Sequence, residues 1–117
     1  MQRLVLIGED EALIALGMEA HLNDLGFSVH AATTINEAME ALNGRHFGAA
    51  ILDFDVGGVG TAPVAEALRS RGIPFVICSG SSSDKSADVF ANAETISKPY
   101  LAEHLAAAVR RAMREVE

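Results

Sequence analysis

A single cysteine, a shortage of basic residues and the lack of any long apolar run set the first limits on this chain of 117 residues. Cys78 has no partner for an internal disulfide, and its apolar neighbours mark it as a buried structural thiol, so a reducing, cytoplasmic setting is the simpler expectation. Nine lysines and arginines stand against 16 acids, a formal charge of −7. That balance argues against direct nucleic-acid binding, because a phosphate backbone requires a basic face. Arg110, Arg111 and Arg114 do cluster, but cations near a helix C-terminus complement its macrodipole. Runs such as Phe75 to Cys78 fall far short of the roughly 20 apolar residues that cross a bilayer, and Met1-Gln2-Arg3 leads into only Leu4 to Ile7. Neither a membrane span nor a signal peptide is expected. His21, His30, His46 and His104 have no ligand spacing and no cysteine partner, so they do not suggest a metal centre.

What is present is an ample supply of apolar residues, 50% of the total and spread along the whole length. One hydrophobic core typically organises about 100 to 150 residues, so residues 1–117 are expected to form one domain with no room for a second, output domain. Leu4 to Ile7 is a short continuous apolar run closed by Gly8 and acids, the pattern of a strand buried on both faces. Phe27 to Ala31, Ala49 to Leu52 and Phe75 to Cys78 repeat it, and Thr95-Ile96 is a weaker fifth case. Segments of helical period lie between them. Leu13/Ile14, Gly17/Met18, His21/Leu22 and Leu25 form one, Thr34 to Gly44 opens on a capping-box spacing, Val64 to Leu68 follows Pro63, and Leu101 to Met113 follows Pro99. Asp84 to Asn92 is expected to form a helix as well. Strict alternation of strand and helix predicts an α/β fold, a doubly wound parallel sheet with right-handed crossovers and helices on both faces.

Four polar groups then fall at comparable places: Glu9-Asp10 after the first strand, Asp53 after the third, Ser79 after the fourth and Lys98 after the fifth. The carboxyl edge of an open α/β sheet is where ligands bind, at the crevice where the strand order reverses. If the order is 2-1-3-4-5, the first and third strands flank that crevice, and Glu9, Asp10 and Asp53 converge. Three carboxylates brought together repel one another, and a hard divalent cation such as Mg²⁺ is the simplest remedy. A carboxylate beside Mg²⁺ can attack phosphorus and form an acyl phosphate, with Lys98 as a point cation and the Ser79 hydroxyl as a donor to a phosphoryl oxygen. Singly each residue has a plainer reading: a surface acid, a strand-end cap, a Lys-Pro turn. Jointly, four strand ends carry the residue types that one phosphoryl-transfer site requires.

From Leu4 to about Met113 the sequence resembles the receiver domains of bacterial response regulators, which have a flavodoxin-like five-stranded fold. The acidic pair matches Glu9-Asp10, the phosphoacceptor matches Asp53 in Ile51-Leu52-Asp53-Phe54-Asp55, the switch hydroxyl matches Ser79 before the small Gly80, and the Lys-Pro pair matches Lys98-Pro99 before Tyr100. The resemblance implies Mg²⁺ held by Glu9, Asp10, Asp53 and the backbone carbonyl of Asp55, and phosphorylation by a histidine kinase or histidine phosphotransfer protein. The implied role is a signalling switch rather than an enzyme; homodimerisation is compatible with it. Two departures stand out. Thr95 occupies the position three before the lysine where an aromatic switch residue is usual, which bears on coupling to the strand-five face. Val56-Gly57-Gly58-Val59-Gly60-Thr61 carries three glycines where a proline is common, so a mobile loop is expected there.

Two other readings compete. Asp53-Phe54-Asp55 also resembles the Asp-x-Asp motif of haloacid dehalogenase phosphatases, with Asp55 as general acid. That motif normally lies on the first strand with an acid pair after the lysine, whereas here the pair precedes and none follows Lys98. A pseudo-receiver that binds partners without being phosphorylated has only the missing aromatic at Thr95 in its favour.

Overall fold

A computed structural model describes residues 4–79, 94–97 and 102–116. Its elements run β1 (Leu4–Gly8), α1 (Ala12–Asp24), β2 (Ser28–Ala32), α2 (Ile35–Gly44), β3 (Ala49–Asp53), β4 (Asp55–Val56), β5 (Val59–Gly60), α3 (Ala62–Ser70), β6 (Phe75–Ser79), β7 (Glu94–Ser97) and α4 (Ala102–Val116). The five long strands form one parallel sheet in the order β2-β1-β3-β6-β7, which is the expected 2-1-3-4-5 once the short β4-β5 hairpin is set aside. The helix expected over Asp84 to Asn92 lies outside the described residues.

Alternation along the strands divides the core in two. Leu4 and Leu6 of β1, Ala50 and Leu52 of β3 and Ile77 of β6 pack with Ala38, Ala41 and Leu42 of α2 and Val64, Ala65 and Leu68 of α3. Val5, Ile7, Ala49, Ile51 and Cys78 face the other way, onto Met18 and Leu22 of α1 and Leu105, Ala106 and Val109 of α4. Burying each large aliphatic side chain contributes about 1.5–3 kcal/mol, which is why β1 and β3 read as continuous apolar runs.

Helix α1 keeps its expected stripe at Met18 and Leu22, which are buried, and at Ile14 and Leu25, which pack against the same core. Leu13 departs from it, 84% exposed, on the solvent side with Leu16. No described helix is long and apolar enough to cross a membrane.

The start of α2 is capped differently from the simple capping box. The Thr34 hydroxyl accepts the Glu37 N–H at 3.0 Å, but the Glu37 carboxylate reaches past Thr34 to accept the Thr33 N–H at 2.7 Å and its hydroxyl at 3.0 Å. The Thr33 backbone bond, then the Thr33 hydroxyl, holds the Glu37 pKa below its ordinary 4.5. A depressed carboxylate pKa stabilises the fold above the unfolded-state value, and that contribution disappears as pH falls through the folded value. In urea titrations Thr34→Ala is expected to cost about 1 kcal/mol. As pH is lowered through 4.5, wild type should lose stability more steeply than Glu37→Gln.

Candidate functional site

The site forms where the chain reverses its direction of travel across the sheet, between β1 and β3. In the β1–β3 ladder Gly8 pairs with Leu52, so the residues that follow, Glu9 and Asp53, emerge side by side at the carboxyl edge. This approach is close: a Cβ on Gly8 would sit 3.0 Å from Leu52 Cδ2. Glu9 is 1% exposed and its N–H donates to the Ala32 carbonyl at 3.1 Å, which fixes the first residue after the strand. Its Oε2 accepts the Glu11 N–H at 3.1 Å, at the N-terminal end of α1, where the helix dipole favours negative charge.

Asp10 is exposed, and its Oδ2 accepts the Gly57 N–H at 3.1 Å across 47 residues of sequence. Asp53, 8% exposed, ends β3. One carboxylate oxygen from each of Glu9, Asp10 and Asp53 lies within 4.8 Å of the others. Hard oxygen donors at this spacing, two of them buried, fit a divalent cation that prefers carboxylates. The Asp55 carboxylate stands apart from this group; a Cβ on Gly60 would sit 3.9 Å from its Oδ1.

The stretch after Asp53 is a two-residue hairpin rather than a loose loop. Val56 pairs with Val59 and Asp55 with Gly60, and the turn residues Gly57 and Gly58 have φ of 61° and 78°, the left-handed values that a type I′ turn needs at both centres. Rungs of an antiparallel ladder alternate between bonded and non-bonded pairs. The turn makes Val56/Val59 a bonded pair, and the Thr61 N–H bond to the Phe54 carbonyl, 2.9 Å, supplies the next bonded rung. Asp55 therefore sits on the rung between, with its carbonyl turned away from the hairpin partner and open to another ligand.

Thr61 is the residue that sequence reasoning passed over. It is 1% exposed, and its hydroxyl shares its proton between the carbonyls of Asp53, 2.6 Å away, and Phe54, 2.9 Å away. In the sequence it is the end of the glycine segment, which conceals its use as a donor to the strand end.

Ser79 closes β6, its backbone paired with Ser97 of β7. Its side chain, Gly80, Lys98, Pro99 and Tyr100 lie outside the described residues. Thr95 pairs with Ile77 on β7, and its hydroxyl oxygen is enclosed with no hydrogen-bond partner among the described residues. Two of the C-terminal arginines have partners away from the site: Arg111 pairs with Glu94, and the Arg110 guanidinium lies 5.8 Å from the centre of the Phe27 ring.

Comparison with known proteins gives a consistent family. The model of the response regulator receiver domain matches residues 5–110. Among solved structures, a response regulator receiver protein from Sinorhizobium medicae WSM419 is 25% identical with a TM-score of 0.89, covering 99% of this chain and 98% of its own. A CheY-like receiver domain protein from Methanospirillum hungatei JF-1 is 21% identical with a TM-score of 0.88, covering 99% and 97%. A beryllofluoride-activated NtrC4 receiver domain dimer is 19% identical with a TM-score of 0.86, covering 99% and 100%. No curated protein matches the sequence.

Crowding of like charge makes a direct prediction. In the absence of divalent cations, Asp53→Asn should raise the thermal midpoint, and added Mg²⁺ should raise that of wild type more than that of the variant.

Proposed function

The chain belongs to the response regulator receiver domain family, and we propose that it is a phosphoacceptor switch in which Asp53 takes a phosphoryl group from a histidine kinase or histidine phosphotransfer protein. The observation that carries this reading is the convergence of the Glu9, Asp10 and Asp53 carboxylates at the reversal point between β1 and β3. Asp53 supplies the nucleophile. One carboxylate oxygen attacks the phosphorus of a phosphohistidine, the P–N bond breaks as the P–O bond forms, and the imidazole leaves with its electron pair. Asp53 ends β3, and its backbone is held there by pairing with Cys78 of β6.

Glu9, Asp10, Asp53 and the Asp55 carbonyl would hold Mg²⁺, which supplies charge neutralisation for the transferring oxygens. Lys98 and the Ser79 hydroxyl are assigned to the new phosphoryl oxygens, as point cation and as hydrogen-bond donor. The signal is then a population shift in the segments after β3 and β6, biased by the added charge. With Thr95 in place of an aromatic, that shift does not act through an aromatic rotamer on β7. The Asp55 side chain is exposed two residues after Asp53, and its negative charge would bear on the access of water to the acyl phosphate. A cytoplasmic location fits a phosphorelay role.

Intact mass after incubation with acetyl phosphate tests donor chemistry, site and cation together. Wild type should gain one phosphoryl group only with Mg²⁺, and Asp53→Asn should gain none. Steady phosphate release without an adduct would favour the dehalogenase-type phosphatase, and neither adduct nor release would favour the pseudo-receiver. Asp55→Asn should change the rate at which the adduct hydrolyses; an unchanged rate removes any role for its charge.

A further inference from the structure

We propose that Thr61 is a positioning residue for the acidic cluster: its buried hydroxyl, bound to the carbonyls of Asp53 and Phe54, fixes the β4–β5 hairpin against the strand end. That hairpin presents the Gly57 amide to Asp10 and leaves the Asp55 carbonyl open. This inference rests on the metal reading proposed above.

Three observations carry it. Thr61 stands at the N-cap of α3, where a threonine hydroxyl ordinarily accepts a backbone N–H and is worth about 1 kcal/mol to the helix. Here it makes no such bond, and its backbone, φ −90° and ψ 5°, is outside the extended range usual for an N-cap. The side chain instead donates back across eight residues to the backbone that carries Asp53. Second, the same residue closes the hairpin ladder through its own N–H, so backbone and side chain of Thr61 both bind Phe54. Third, the hairpin is also tied at its tip, where the Gly57 N–H donates to the Asp10 carboxylate. One end of the hairpin is thus pinned to the phosphoacceptor strand and the other to a cluster carboxylate. Loosening the Thr61 end lets the hairpin pivot, and Asp10 and the Asp55 carbonyl lose their fixed relation to Asp53.

The test is Mg²⁺ affinity, read from amide shifts of Asp10 and Gly57 in a ¹H–¹⁵N NMR titration, with urea stability measured in parallel. Thr61→Val keeps the shape and removes the donor, and should weaken Mg²⁺ binding about tenfold or more, the loss typical of groups that orient metal ligands, while Thr61→Ser, which keeps the donor, stays close to wild type. Thr34→Ala, at the remote α2 cap, should lower stability and leave Mg²⁺ affinity unchanged. Thr61→Ala serves the same purpose as Thr61→Val if the valine variant does not fold. Affinity unchanged in the hydroxyl-free variants, with stability alone reduced, overturns the positioning role and leaves the metal reading standing. No Mg²⁺ response in wild type overturns both.

Discussion

The parallel ladder between β1 and β3 is the constraint on which the acidic pocket depends. Pairing Gly8 with Leu52 decides that Glu9 and Asp53 leave the sheet together, and a slip of one residue would send one of them to the opposite face of the sheet. The register is held by the two-sided core. Val5, Leu6, Ile7, Ile51 and Leu52 are each at most 1% exposed, so a slip would move every one of them from one helical layer to the other. Burial of apolar strands thus works against the mutual repulsion of the carboxylates at their ends, and the fold holds together charges that would separate in a free chain.

Much of this was legible in the sequence because it follows from periods. Short apolar runs located four of the five long strands to within a residue, and strand-helix alternation gave the doubly wound parallel sheet, on which the order 2-1-3-4-5 is a condition that the structure meets. Convergence of Glu9, Asp10 and Asp53 followed from that order alone. Where the reading went astray, one residue type had two physical uses. Leu13 reads as part of the buried stripe, yet it is 84% exposed while Met18 and Leu22 of the same stripe are buried. The glycines after Asp53 suggested freedom, whereas Gly57 and Gly58 meet the positive φ of a tight turn between paired strands. Thr61 reads only as the end of that glycine segment, and its use as a donor is hidden because its partners are defined by tertiary structure.

Charge is distributed with the same economy. Among the described residues the α4 arginine Arg111 is paired with Glu94 and Arg110 lies over Phe27, both on the layer that covers the sheet. On the other side, Arg71 donates to Asn43 Oδ1 at 2.7 Å. These guanidiniums tie helices and loops to neighbouring elements and do not form the continuous basic face that a nucleic acid requires.

Cys78 has a practical consequence of its own. It is 1% exposed in a central strand, and its backbone pairs with that of Asp53. A thiol-directed reagent can reach it only when the sheet interior opens, so its alkylation rate is a clock for that opening. Because the pairing is with Asp53, the clock reads the mechanical integrity of the strand that carries the pocket, and it does so without an introduced label.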